Sequence, residues 1–153
     1  MKPLSILLML LVAATGCRPA AKGSSATFYL QLVQANDSAL PPTPRSRPVG
    51  RKLQKRLQCA LKWSRYWEMQ RHAMVVLPGR ATSERLDSGQ TVELEMLNTD
   101  QVAVRIYSGG KLIRNRTQPA ANAFCIAGAR AEDDHPWFIV VRRDPPQEPE
   151  APQ

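Results

Sequence analysis

Apolar residues between positions 27 and 141 mostly recur every second residue, and in one stretch every third or fourth. Phe28, Leu30 and Leu32 alternate with Tyr29 and Gln31, which predicts a first strand with one buried face. A proline-rich loop over residues 40–48 follows. The period then changes: Leu53, Leu57, Ala60 and Leu61 fall on one stripe, with Arg51, Lys52, Lys55 and Lys62 opposite, predicting an amphipathic helix near residues 50–62. Beyond it the period returns to two. Val92, Leu94 and Met96 alternate with Thr91, Glu93 and Glu95, and Val102, Val104 and Ile106 with Ala103 and Arg105. Further strands are predicted near residues 66–76, 111–116 and 123–127.

Asp87-Ser88-Gly89-Gln90, Asn98-Thr99-Asp100 and Ser108-Gly109-Gly110 carry hairpin-turn chemistry, because glycine and Asx residues accept the positive φ such turns need. The last strand differs from the others. Trp137, Phe138, Ile139, Val140 and Val141 are apolar on both faces, so this strand should be central in a sheet or covered on its outer side by the helix. The fold class that follows is mainly β: an antiparallel β-sandwich or partly open barrel with one amphipathic α-helix packed on it.

The two ends read differently from this body. Residues 4–14 are apolar behind a single cationic Lys2, a stretch too short to cross ~30 Å of hydrocarbon but the length of an export signal's core. It runs into Ala14-Thr15-Gly16-Cys17, which resembles the bacterial lipobox. That resemblance implies removal of residues 1–16, a diacylglycerol on Cys17, and a lipid anchor in the cell envelope. Arg18, where retained lipoproteins carry aspartate, implies the outer membrane facing the periplasm. The alternative is an ordinary secretory signal cut at a nearby small residue. Residues 17–26 then form a tether and residues 27–143 the β-rich domain. Residues 144–153, rich in proline and without apolar periodicity, read as a disordered tail. Three segments, Thr27-Phe28-Tyr29-Leu30-Gln31-Leu32-Val33, Lys62-Trp63-Ser64-Arg65-Tyr66-Trp67-Glu68 and Trp137-Phe138-Ile139-Val140-Val141-Arg142-Arg143-Asp144, resemble parts of small exported proteins of environmental bacteria; the resemblance carries no activity.

The formal net charge of +8 is unevenly placed. Nine bases lie from Arg45 to Arg71 against one acid, Glu68, whereas from His72 onward nine bases meet eleven acids. The excess is therefore local to the proline loop and the helix, where it would attract anionic surfaces within a Debye length of ~8 Å. Arg51, Lys52, Lys55, Lys62, Trp63, Arg65 and Trp67 form the candidate partner-binding set, since cations interleaved with rings can stack on a ligand. The plainer reading is a solvated helix face with rings that anchor it to a sheet. The implied partners are the membrane, through the anchor, and an anionic envelope component or envelope protein complex. An export signal argues against nucleic acid.

Catalytic signals are sparse. His72 and His135 have no nucleophile elbow, phosphate loop or spaced ligand set beside them, so no cofactor, metal site or catalytic residue is assigned. Cys59 and Cys125 are a possible disulfide in an exported chain, with two separate thiols as the alternative. The leading expectation is a non-catalytic binding or assembly module. A hydrolase or carbohydrate-acting enzyme using Asp133, Asp134 or His135, and a structural envelope spacer, are the alternatives.

Overall fold

The computed structural model describes residues 24–132 and 135–148. Two antiparallel sheets pack face to face as a β-sandwich, and one helix covers the outer face of the larger sheet. The larger sheet has the order β2-β3-β1-β9-β8, built from β1 (Ala26–Asn36), β2 (Arg47–Pro48), β3 (Arg65–Val76), β8 (Phe124–Glu132) and β9 (His135–Arg142). The smaller is a meander, β4-β5-β6-β7, of β4 (Ala81–Arg85), β5 (Gln90–Met96), β6 (Gln101–Ser108) and β7 (Lys111–Pro119). The helix α1 spans Arg51–Ala60.

Alternation sets the layers. Phe28, Leu30 and Leu32 of β1, Met74 and Val76 of β3, and Ile139 and Val141 of β9 face Val92, Leu94, Val102, Val104 and Ile106 of the smaller sheet in one buried core. The opposite face of the larger sheet is apolar as well. Val33, Ala35, Tyr66, Phe138 and Val140 form a second core with Val49 and the helix residues Leu53 and Leu57. Each leucine buried there contributes about 1.5–3 kcal/mol, which is what holds a ten-residue helix too short to persist alone. β9 meets both expectations for its two apolar faces: it lies between β1 and β8, and the helix layer covers its outer side.

A bulge in β3 decides where several side chains point. Leu32 pairs with Gln70 but Val33 pairs with Glu68, so Met69 is the extra residue and the alternation of β3 reverses there. Tyr66 and Glu68 thereby face the helix layer, and Trp67 turns to the other side. The β6–β7 hairpin is the tight turn its sequence predicts, with Gly109 and Gly110 both at positive φ, 56° and 77°.

Cys59 and Cys125 are free thiols rather than a disulfide. Cys125 pairs with Val141 and points into the sandwich core, whereas Cys59 is exposed on the helix beyond the opposite face of the same sheet. Phe124 and Ile126, not Cys125, face the helix layer. Burial pushes the Cys125 thiol pKa up. Residues 144–148, read in sequence as the start of a disordered tail, have a defined course beside α1; residues 149–153 lie outside the described residues.

Candidate functional site

The cationic surface is built on a helix whose start is electrostatically awkward. Gly50 is the N-cap and offers no side-chain oxygen, the first turn carries no acid, and it opens with Arg51 and Lys52 at the positive end of the helix dipole. The segment after β9 supplies what the helix lacks. Lys52 N–H donates to Gln147 Oε1 at 3.2 Å, and Asp144 lies 3.0 Å from Lys52 Nζ and 3.9 Å from Arg56 Nη1. Close passage of this segment explains Gly50: a Cβ there would stand 2.8 Å from Gln147 Cβ and 2.9 Å from its carbonyl oxygen.

Two arginine–carboxylate clusters fasten the same segment. Arg142 is only 1 % exposed on the helix-facing side of β9, and its Nε and Nη2 both donate to Asp144. These bonds, aided by Lys52, hold the Asp144 carboxyl well below the usual carboxylate range against the opposing effect of its partial burial. In the second cluster, buried Glu68 accepts from Arg47 Nε at 2.9 Å, from Arg71 Nε at 2.9 Å, and from Gln31 Nε2. Glu148 then bridges the outer ends of both guanidinium groups, at 3.1 Å from Arg47 and 2.7 Å from Arg71, and Arg71 lowers its pKa.

The sequence-predicted contact residues separate into three groups. Arg51, Lys55, Lys62 and Arg65 are exposed along the helix and the join that follows it. Lys52 is half committed to Asp144, and Trp63 serves as an anchor, its ring 5.7 Å from that of Phe138 with the Lys62 ammonium 5.2 Å above it. Trp67 is a correction. Its indole is buried and Nε1 donates to Asn36 Oδ1 at 3.0 Å, because the Met69 bulge turns it away from the basic side; it belongs to the fold and not to a contact surface. The join itself is pinned by Asp37, whose Oδ1 accepts from the Ser64 N–H and hydroxyl, both at 2.9 Å, lowering the Asp37 pKa.

A groove of about 410 Å³ lies on the other side of the larger sheet, between Gln34, Asn36, Met69 and Trp137 on the strands and the proline loop at Leu40, Pro41, Pro42 and Thr43. Sequence reasoning missed it, although Gln34 and Asn36 stand out as amides continuing the inward row of Phe28, Leu30 and Leu32. It also missed the Arg142–Asp144 pair, and the Glu68 cluster, whose members Gln31, Arg47, Arg71 and Glu148 are spread along the chain.

Cys17, Asp133 and Asp134 lie outside the described residues, and His135 enters only as the backbone partner of Glu132 in the β8–β9 hairpin. His72 Nδ1 is 3.4 Å from Glu84 and its Nε2 2.7 Å from Gln70, and among the described residues no further acid or nucleophile joins them. No protein-family model, curated protein or solved structure matches the chain. What fold and site together define is a helix-capped β-sandwich with a cationic outer layer.

Proposed function

We propose that this protein is a lipid-anchored cell-envelope component acting as a non-catalytic binding module, with the exposed side of α1 and the following join as its contact surface. One observation carries the reading: Arg51 and Lys55 on the helix and Lys62 and Arg65 on the join that follows it are all exposed, while the helix's apolar side is already used against the larger sheet. An anionic surface is the chemistry they fit, whether lipid phosphate, acidic glycan or an acidic protein face. The anchor would hold the domain near such a surface, since buried acyl chains contribute about 0.8 kcal/mol per methylene.

Cys59 makes the test practical, because its exposed thiol lies on the same helix. A photoactivatable crosslinker attached there in intact cells is expected to trap a partner. Combining Lys55→Glu, Lys62→Glu and Arg65→Glu should abolish the adduct, and an undiminished adduct rejects this surface. Cys17→Ser is expected to move the protein out of the membrane fraction; continued membrane association would reject the anchor.

A further inference from the structure

The sandwich-facing side of the larger sheet changes character at one end. Along β1 the inward row runs Phe28, Leu30, Leu32 and then Gln34 and Asn36, and Trp137 of β9 pairs beside Gln34. Gln34 is only 8 % exposed, yet its carboxamide has no hydrogen-bond partner among the described residues. Asn36 is 4 % exposed; its Oδ1 is taken by the Trp67 indole, and its NH2 group makes no bond among the described residues. Both amides border the groove of about 410 Å³, a volume within the range of small-molecule sites.

Neither Gln34 nor Asn36 has an enclosed side-chain polar atom without a partner, so solvent reaches their free amide atoms through the groove, and a ligand seated there has to replace that hydration with hydrogen bonds of its own. The two amides lie adjacent on one strand beside a half-buried indole, and their unused donors and acceptors border open space. Nothing ionisable lines the groove. An anionic or cationic ligand would find no countercharge, and a purely apolar one would leave both amides unpaired. A pyranose ring offers hydroxyl groups that both donate and accept, together with a flat C–H face that suits an indole and proline rings.

We propose that this groove is a binding site for a neutral saccharide, with Gln34 and Asn36 hydrogen-bonding its hydroxyls and Trp137 stacking on the ring. It lies on the opposite side of the larger sheet from α1, so it stands or falls separately from the cationic contact surface.

The test titrates the full chain in detergent with N-acetylglucosamine trisaccharide and with maltotriose, following tryptophan fluorescence. A saturable change with at least one of them is expected. Gln34→Leu keeps the volume and removes the amide; it should weaken binding at least tenfold while the melting temperature stays level or rises. Thr43→Arg, exposed on the loop wall, obstructs the groove without altering the sheet and should cause the same loss even if Gln34→Leu fails to fold. The combined Lys55→Glu, Lys62→Glu and Arg65→Glu variant should bind the sugar as the wild type does. No saturable response to either saccharide, or undiminished binding by a folded Gln34→Leu or Thr43→Arg protein, overturns the proposal.

Discussion

Arg142 places a full positive charge where almost no water reaches it, and Asp144, two residues on, is the only carboxylate among the described residues that answers it. Removing one partner of a buried pair leaves the other desolvated and uncompensated. Asp144 is itself partly exposed, so Asp144→Asn should cost about 2 kcal/mol, less than a wholly buried pair would, read as a lower urea midpoint at pH 7. The pH dependence follows from the depressed Asp144 pKa. Folding lowers the proton affinity of this carboxyl, so its stabilisation is complete above the ordinary value of 3.8 and drains away as pH falls below it. The wild-type midpoint should therefore drop below pH 4 more steeply than that of Asp144→Asn, and parallel profiles would refute the assignment. The thiols give a second contrast at this scale. Iodoacetamide on the native protein should alkylate exposed Cys59 and leave Cys125 unmodified until denaturant is added, as peptide mapping can show, because burial both shields the Cys125 sulfur and holds it as the thiol.

The helix shows how far an element can be read from its pattern alone. Leu53 and Leu57 stand where a 3.6-residue period puts them, and both are buried. Leu57→Ala should cost about 2–4 kcal/mol, whereas Lys55→Ala, two residues away on the exposed side, should stay within about 0.5 kcal/mol; thermal melts of the two variants check the difference. The strands β1, β5, β6 and β9 were legible for the same reason, since each has at least one apolar face to mark its period. β4 was not. Ala81-Thr82-Ser83-Glu84-Arg85 buries no apolar residue, and it is a strand because β5 offers it a backbone ladder, from Ala81 opposite Glu95 to Arg85 opposite Thr91. The single residue inserted at Met69 was equally invisible, because a bulge leaves no mark on composition. Its consequence reached the candidate site, turning Trp67 from the basic side to the groove side. The face of Cys125 was illegible for a related reason: Phe124-Cys125-Ile126 is apolar on both sides, so the segment alone does not say which face meets the sandwich.

At the scale of the whole molecule, charge excess in the sequence and charge available at the surface are different quantities. The net charge of +8 counts nine bases between Arg45 and Arg71, but the chain returns after β9 to lay Asp144 and Glu148 against four of them, Lys52, Arg56, Arg47 and Arg71. The segment thus trims the cationic layer at the helix start and leaves Lys55, Lys62 and Arg65 at its far end as the open part. Glu148 is the carboxylate whose charge can be removed without orphaning a buried partner, because Glu68 still bonds both guanidinium groups from below. Glu148→Gln should therefore strengthen adsorption of the full chain to sulfonated beads at low salt by up to about fivefold, the effect of one added unit charge near an anionic surface. The gain should fade as the Debye length shortens from ~10 Å at 0.1 M salt to ~3 Å at 1 M. Asp100→Asn makes the same charge change on the exposed β5–β6 turn, away from the helix. If the helix end is the face that meets anionic surfaces, that second variant gains much less; equal gains from both would mean that net charge, and not this layer, governs adsorption.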